Sequence, residues 1–192
     1  MTVHKEKIFT TKKYLVSADD YQRMGAIGIF EGKERVELID GVIYTMPPFS
    51  PLHSSHVDKA SQFFIIKLYR KFNIRTQSSI RTDVYSEPEP DLSILKFKED
   101  FYSKRPATAE DTLLIIEVAV TSVEIDRSFK KEKYAKSGIP EYWIIIPEKQ
   151  IIEVYKQPED GDYAEKTTYR ANDIWTIEAF GLEVKGSDFL IP

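Results

Sequence analysis

One eight-residue run constrains this chain more than any other. LLIIEVAV, residues 113 to 120, sets a single acid, Glu117, among seven apolar residues. A run so continuous in aliphatic residues predicts a central strand covered on both faces. An unpaired carboxylate in such a place costs several kcal/mol or takes up a proton, so Glu117 must be paired, hydrogen-bonded or bound to a cation. One reading places Glu117 near the end of its strand, in a salt bridge with a lysine of a neighbouring helix. Another brings in Asp91, which heads the run DLSIL directly after Pro90. Proline fixes the entry of that strand and holds the Asp91 carboxylate on stiff backbone. The plainer reading of Asp91 is a turn residue at a strand entry. Two acids on neighbouring strands can converge on one hard cation, Mg²⁺ or Mn²⁺. Such a cation keeps several of its waters, so Asp91, Glu117 and a backbone carbonyl such as that of Val118 suffice as ligands.

The remaining segments predict what surrounds these strands. SADDYQRMGAI opens with a serine and carries Asp20 three residues later, close to a capping box, which starts a short helix near Ser17. RVELIDGVIYTMP alternates around an Asp-Gly turn and predicts a hairpin, with strands over residues 35–39 and 42–46. From His53 to Phe72, apolar residues at spacings of three and four (Val57, Ala60, Phe64, Ile65, Leu68) predict an amphipathic helix. SSIRTDVY and DLSIL read as strands, EIDRSFKKEKYAKSG as a helix ending at a glycine cap, and EYWIII as a further strand with Tyr142 and Trp143 in the core. The tail alternates polar and apolar residues between turn signals, as small antiparallel strands do. The expected fold class is α/β (α+β): a mixed sheet flanked by helices, with an antiparallel hairpin region.

Composition narrows the function. At 192 residues and 42% hydrophobic, the chain is expected to form a single domain over residues 1–192. There is no cysteine, hence no disulfide framework and no thiolate metal site, and three scattered histidines make neither an HNH nor a zinc site. The formal net charge of −4 argues against a protein that coats nucleic acid by electrostatics alone. Lys67, Arg70, Lys71 and Arg75, with the lysines after Asp126, form either a local basic patch or a solvated face. No apolar run approaches the roughly 18 residues of a membrane span, and MTVHKEKIFTTKKYLVS lacks the apolar core of a signal peptide. A soluble cytoplasmic protein is the expectation, with no membrane partner.

Five segments together resemble a known family. They are ELIDG at residues 37–41, SPLH at 50–53, PEPDL at 88–92, IIEVAVTS around Glu117, and DRSFKKEKYAKSGIPEYWII from Asp126. The pattern resembles the bacterial putative restriction endonuclease family within the PD-(D/E)XK nuclease superfamily, and it spans most of the chain. The resemblance implies a restriction-endonuclease-like fold and Mg²⁺-dependent hydrolysis of DNA, with Asp91 and Glu117 as catalytic metal ligands. It implies DNA as the partner and a homodimer as the assembly. The superfamily's core lysine stands two residues after the acid, where this chain has Ala119. In this family the lysine looks displaced to the following helix, where Lys130 matches, with Lys133 one turn away as its rival. Glu37 resembles the family's amino-terminal acid, completing the metal shell or holding a metal-bound water, or else it sits on the outer face of the hairpin. His53 matches a position that contacts phosphate or caps the helix. Gln77 and Glu89 fall where the family places residues that support the ligands or the nucleic acid. A catalytically silent module of the same fold, binding DNA or a protein partner, is the alternative.

Overall fold

The computed structural model describes residues 12–32 and 35–192, so the part of the signal-peptide reading that falls on residues 1–11 lies outside the described residues. Helix α1, Ala18–Ala26, begins where expected: the Ser17 hydroxyl accepts the Asp20 N–H at 3.1 Å. The hairpin of β1, Val36–Ile39, and β2, Val42–Thr45, turns at Asp40 and Gly41, both with positive φ (50° and 75°), as a type I′ turn requires. Gly41 is required twice over, because a Cβ there would stand 2.6 Å from Leu15 Cβ. Helix α2, Pro51–Leu68, is capped by the Ser50 hydroxyl, which accepts the His53 N–H at 3.2 Å, and proline fills its first position.

Two expectations fail around the next strand. The helix predicted to reach Phe72 stops at Leu68, and β3 runs from Phe72 to Thr76. The chain reverses through Arg70 at φ 59°, without the glycine or asparagine that usually marks a helix end. SSIRTDVY, predicted as a strand, is a loop with isolated bridges at Arg81 and Asp83. Its backbone bonds go crosswise instead, Ile80 N–H to Pro88 O at 3.0 Å and Arg81 N–H to Ala107 O at 2.9 Å.

The main sheet has the order β3-β4-β5-β6-β7-β8, where β4 is Leu92–Lys96, β5 Thr112–Val118, β6 Glu141–Ile146, β7 Ile151–Glu159 and β8 Asp162–Tyr169. All neighbours are antiparallel except β5 and β6, which are parallel. A parallel pair needs a crossover, and it is made by one helical segment: α3, Val123–Ile125, a π-helical turn, Asp126–Lys130, and α4, Lys131–Lys136. A small ribbon of β9, Ile174–Ile177, and β10, Leu182–Lys185, closes the carboxyl end. Among the described residues, no helix is long and apolar enough to cross a membrane.

Side-chain alternation along β5 sorts its residues between two layers. Leu114, Ile116 and Val118 pack with Val57, Ala60, Phe64 and Leu68 of α2. Ile115 and Ala119 pack on the other face with Tyr134 and Ala135 of α4. Glu117 belongs by parity to the α4 face, which decides what it meets. Tyr142 and Trp143 are fully buried, one in each layer.

Candidate active site

Three acids converge because two strand pairs, β4–β5 and β1–β2, meet at one place. Register sets the first two: Leu92 pairs with Ile116, so Asp91, one residue before β4, stands beside Glu117. The Asp91 N–H donates to Glu117 Oε2 at 3.3 Å, and the Val118 N–H donates to Asp91 Oδ2 at 2.9 Å. Hairpin parity sets the third: Glu37 and Tyr44 are direct cross-strand partners on one face, with Arg35 and Ile39 alternating beside them. That face looks into a cavity of about 640 Å³, which Asp91, Glu117, Val118, Asp126 and Lys130 also line.

Lys130 reaches the cluster from the π-helical turn. Its ammonium donates to Glu117 Oε1 at 3.0 Å and lies 3.7 Å from Glu37 Oε2. The hydroxyl of Tyr134 donates to the same Glu117 oxygen at 2.8 Å. Asp126, Lys130 and Tyr134 follow each other at intervals of four and so share one side of the helical segment. Lys133 points elsewhere: it joins Asp40 of the hairpin turn and Asp83 of the loop, the latter at 3.0 Å. Lys133 therefore ties α4 to the hairpin, and Lys130 occupies the site.

His53 does not cap α2, a task Ser50 performs. Its Nε2 lies 2.9 Å from Asp91 Oδ2, and its ring stacks on Phe49 with centroids 4.6 Å apart. The guanidinium of Arg35 sits 4.1 Å from the Phe49 ring centre and bonds Glu89. Glu89 N–H donates to Glu37 Oε2 at 3.2 Å, which aims the Glu37 carboxylate inward. Gln77 has left-handed backbone (φ 47°), and its N–H donates to Asp91 O at 3.0 Å, so its link to the site runs through main chain.

Charge in the cavity is unbalanced. Burial, followed by the nearby Asp91, Asp126 and Glu37 charges, pushes the Glu117 carboxyl up to about 8, with Lys130 opposing. Burial raises Asp126 and Glu89 as well. For Lys130, burial works against the charge but Glu117, Glu37 and Asp126 outweigh it, so the ammonium is held charged well above its ordinary range. Six carboxylates (Glu37, Glu89, Asp91, Glu117, Glu124, Asp126) thus line a cavity whose cations are Arg35 and Lys130. Among the described residues, no three histidine, aspartate or glutamate side chains are gathered into a ready metal cluster. The donors that fit a cation are Asp91, Glu117 and the Val118 carbonyl, which extended backbone directs to the same side as the Val118 N–H, toward Asp91. Asp91 Oδ1 accepts no hydrogen bond from any described residue. An all-oxygen set of this size suits a hard cation that retains waters.

The basic patch expected for α2 is not at this cavity. Lys67, Arg70 and Lys71 lie at the opposite end of the helix, roughly 20 Å from His53 at 1.5 Å per residue, and Arg75 stands on β3 opposite Ser93, outside the cavity lining. Along the helical segment, Lys131 pairs with Asp162 at 2.7 Å and Lys136 with Glu132.

A family model described as "Putative restriction endonuclease" matches residues 18–187. The chain belongs to this Uma2 family. Membership supports a nuclease, and the motif segments that suggested the resemblance all lie within the matched residues. Among solved structures, the chain is similar to a putative nuclease of the DUF820 group from Anabaena variabilis ATCC 29413. The TM-score is 0.67, with 16% identity over 91% of this chain and 97% of that one, which shows a shared fold. No curated protein matches. In this Uma2 member, reasoning from sequence left out Arg35, Tyr44, Phe49, Glu124, Asp126 and Phe129 of the cavity lining, and Tyr134, which bonds Glu117. Asp126 and Tyr134 carried a usable signal, their intervals of four about Lys130, while Arg35 and Phe49 carried none.

Proposed function

We propose that this chain is a divalent-cation-dependent nuclease that hydrolyses DNA phosphodiester bonds at Asp91, Glu117 and Lys130. The observation that carries the reading is the Lys130 ammonium 3.0 Å from Glu117: the helix returns to the cluster the positive charge that Ala119 cannot supply from the strand. Mg²⁺ or Mn²⁺ would be held by Asp91, Glu117 and the Val118 carbonyl, and such a cation polarises the scissile phosphate and lowers the pKa of water. Lys130 stabilises the negative charge that builds on the phosphate and orients the attacking water. Glu37, held by the Glu89 N–H and facing Lys130, accepts a hydrogen bond from that water. Tyr134 keeps Glu117 directed at the cavity, and His53 does the same for Asp91.

A second reading rests on one observation: Glu117 is already bonded by Lys130 and Tyr134, so the cluster is self-consistent as an internal ion pair of a silent module that binds DNA or protein. Purified protein incubated with supercoiled plasmid and single-stranded DNA in EDTA, Mg²⁺ or Mn²⁺ separates the two, alongside calorimetric Mn²⁺ titration. Cutting and Mn²⁺ binding, both lost in folded Asp91→Ala and Glu117→Ala, are expected; absence of both in the wild type leaves the silent module. A homodimer and a cytoplasmic location complete the proposal. A single monomeric species in sedimentation velocity would remove the former.

A further inference from the structure

The cavity that holds the acids is half-open and walled largely by apolar groups. The side chains of Glu117, Glu37, Asp91 and Lys130 are only 4%, 9%, 10% and 12% exposed. Above them stand Tyr44, Phe129, Phe49, Ile125 and the Pro47–Pro48 pair. Ile125 is 55% and Tyr44 42% exposed, far more than core residues, and Tyr44 meets Phe129 edge-on with centroids 5.9 Å apart. Phe49 is already engaged by His53 and Arg35, whereas the exposed surface of Tyr44 has neither kind of partner among the described residues.

Resting on the nuclease reading of the same site, we infer that the substrate strand enters unpaired, with a splayed base of single-stranded or flapped DNA stacking on Tyr44 beside Phe129 and Ile125. Two lines of reasoning meet here. The first is size. A cavity of about 640 Å³ belongs to the class that encloses a small ligand, on the scale of a nucleotide. An unpaired strand can place one nucleotide in that volume, which a base held in a stacked duplex can do only by leaving its stack. The second is charge. Duplex binding is carried by lysine and arginine neutralising many phosphates. Here six carboxylates line the cavity against Arg35 and Lys130, both paired with acids, and the α2 cations stand at the other end of that helix. With few free cations at the cavity among the described residues, a contact that does not depend on net charge gains weight. Stacking of a base on an aromatic ring is such a contact, and every base offers a face to it.

The test uses fluorescein-labelled phosphorothioate 12-mers, one single-stranded and one duplex, titrated with the full chain by anisotropy in MgCl₂. The single strand is expected to bind at least tenfold more tightly than the duplex at the same salt concentration. Tyr44→Ala should weaken it roughly tenfold, the loss of one stacked base, while Tyr44→Phe restores it. Equal or tighter duplex binding, no single-strand binding, or undiminished affinity in Tyr44→Ala with wild-type circular dichroism would overturn the inference. Cleavage of unmodified oligonucleotides and plasmid is read separately. Tyr44-dependent binding without cutting sinks the nuclease reading alone, and metal-dependent cutting of duplex without single-strand binding sinks the inference alone.

Discussion

Replacing Glu117 by glutamine, in the absence of divalent cation, should make this protein more stable. The buried carboxyl is pushed from its ordinary 4.5 to about 8 by burial and by the Asp91, Asp126 and Glu37 charges. A carboxyl raised in this way binds a proton on folding wherever the unfolded chain has released it. Its penalty is therefore absent below about pH 4.5, grows as pH rises, and levels off above about pH 8. At pH 7 the interval above 4.5 is about 2.5 units, each worth about 1.4 kcal/mol, so the penalty is at most about 3 kcal/mol, less whatever the Lys130 ammonium loses with its partner. Glutamine keeps the shape and removes the titration. For a domain of this size, that ceiling of about 3 kcal/mol corresponds to a Tm higher by roughly 6–12 °C. The assay is thermal unfolding of wild type and Glu117→Gln from pH 5 to 8, in EDTA and again in Mg²⁺. The gap between them should widen with pH in EDTA and shrink in Mg²⁺, because a bound cation favours the ionised wild-type carboxyl. A variant less stable than wild type at pH 8 in EDTA would refute the reasoning, for Glu117 would then be an ionised partner that Lys130 needs.

Three further outcomes follow from the geometry. Lys130→Met should lower Mg²⁺-dependent cleavage at least a hundredfold, the scale set by one lost charge stabiliser, whereas Lys133→Met should lower stability through its lost pairs with Asp40 and Asp83 and leave cutting in place; plasmid nicking and urea titration check the two. Burial alone would raise Glu153, but bonds from Arg127, Lys166 and Tyr155 outweigh it and hold the carboxyl at about 2. Its contribution is thus complete above the unfolded pKa and lost as pH falls toward 2, and Glu153→Gln should flatten the acid limb of a stability profile. Gly41→Ala combines a φ of 75° with a Cβ 2.6 Å from Leu15 Cβ, so it should cost about 1–3 kcal/mol in chemical denaturation.

Much of this architecture can be read from the chain before any coordinates. Asp40-Gly41 announces its hairpin, Ser17 its helix, and the lone acid of LLIIEVAV its need of a partner, because each depends on physics acting within a few residues. The β3 strand could not be read in this way: Leu68 ends its helix through an arginine in left-handed backbone, and no local propensity marks that. The choice between Lys130 and Lys133 depends on the π-helical turn, which has no sequence signature, and the partner of His53 depends on the meeting of two distant segments. Parity along β5, by contrast, was legible, and it sends Glu117 to the helix that carries Lys130 and Tyr134.

The crossover helix has one further consequence. In a site whose acid and lysine share a strand, the two cannot part unless the sheet itself comes undone. Here Glu117 is anchored in the sheet and the ammonium in the wide turn Asp126–Lys130, a rare helical form. Tightening that turn would draw the cation out of register with Glu117 while every strand stayed paired. Lys130 and Glu117 are therefore carried by separate elements, one by the helical turn and the other by the sheet.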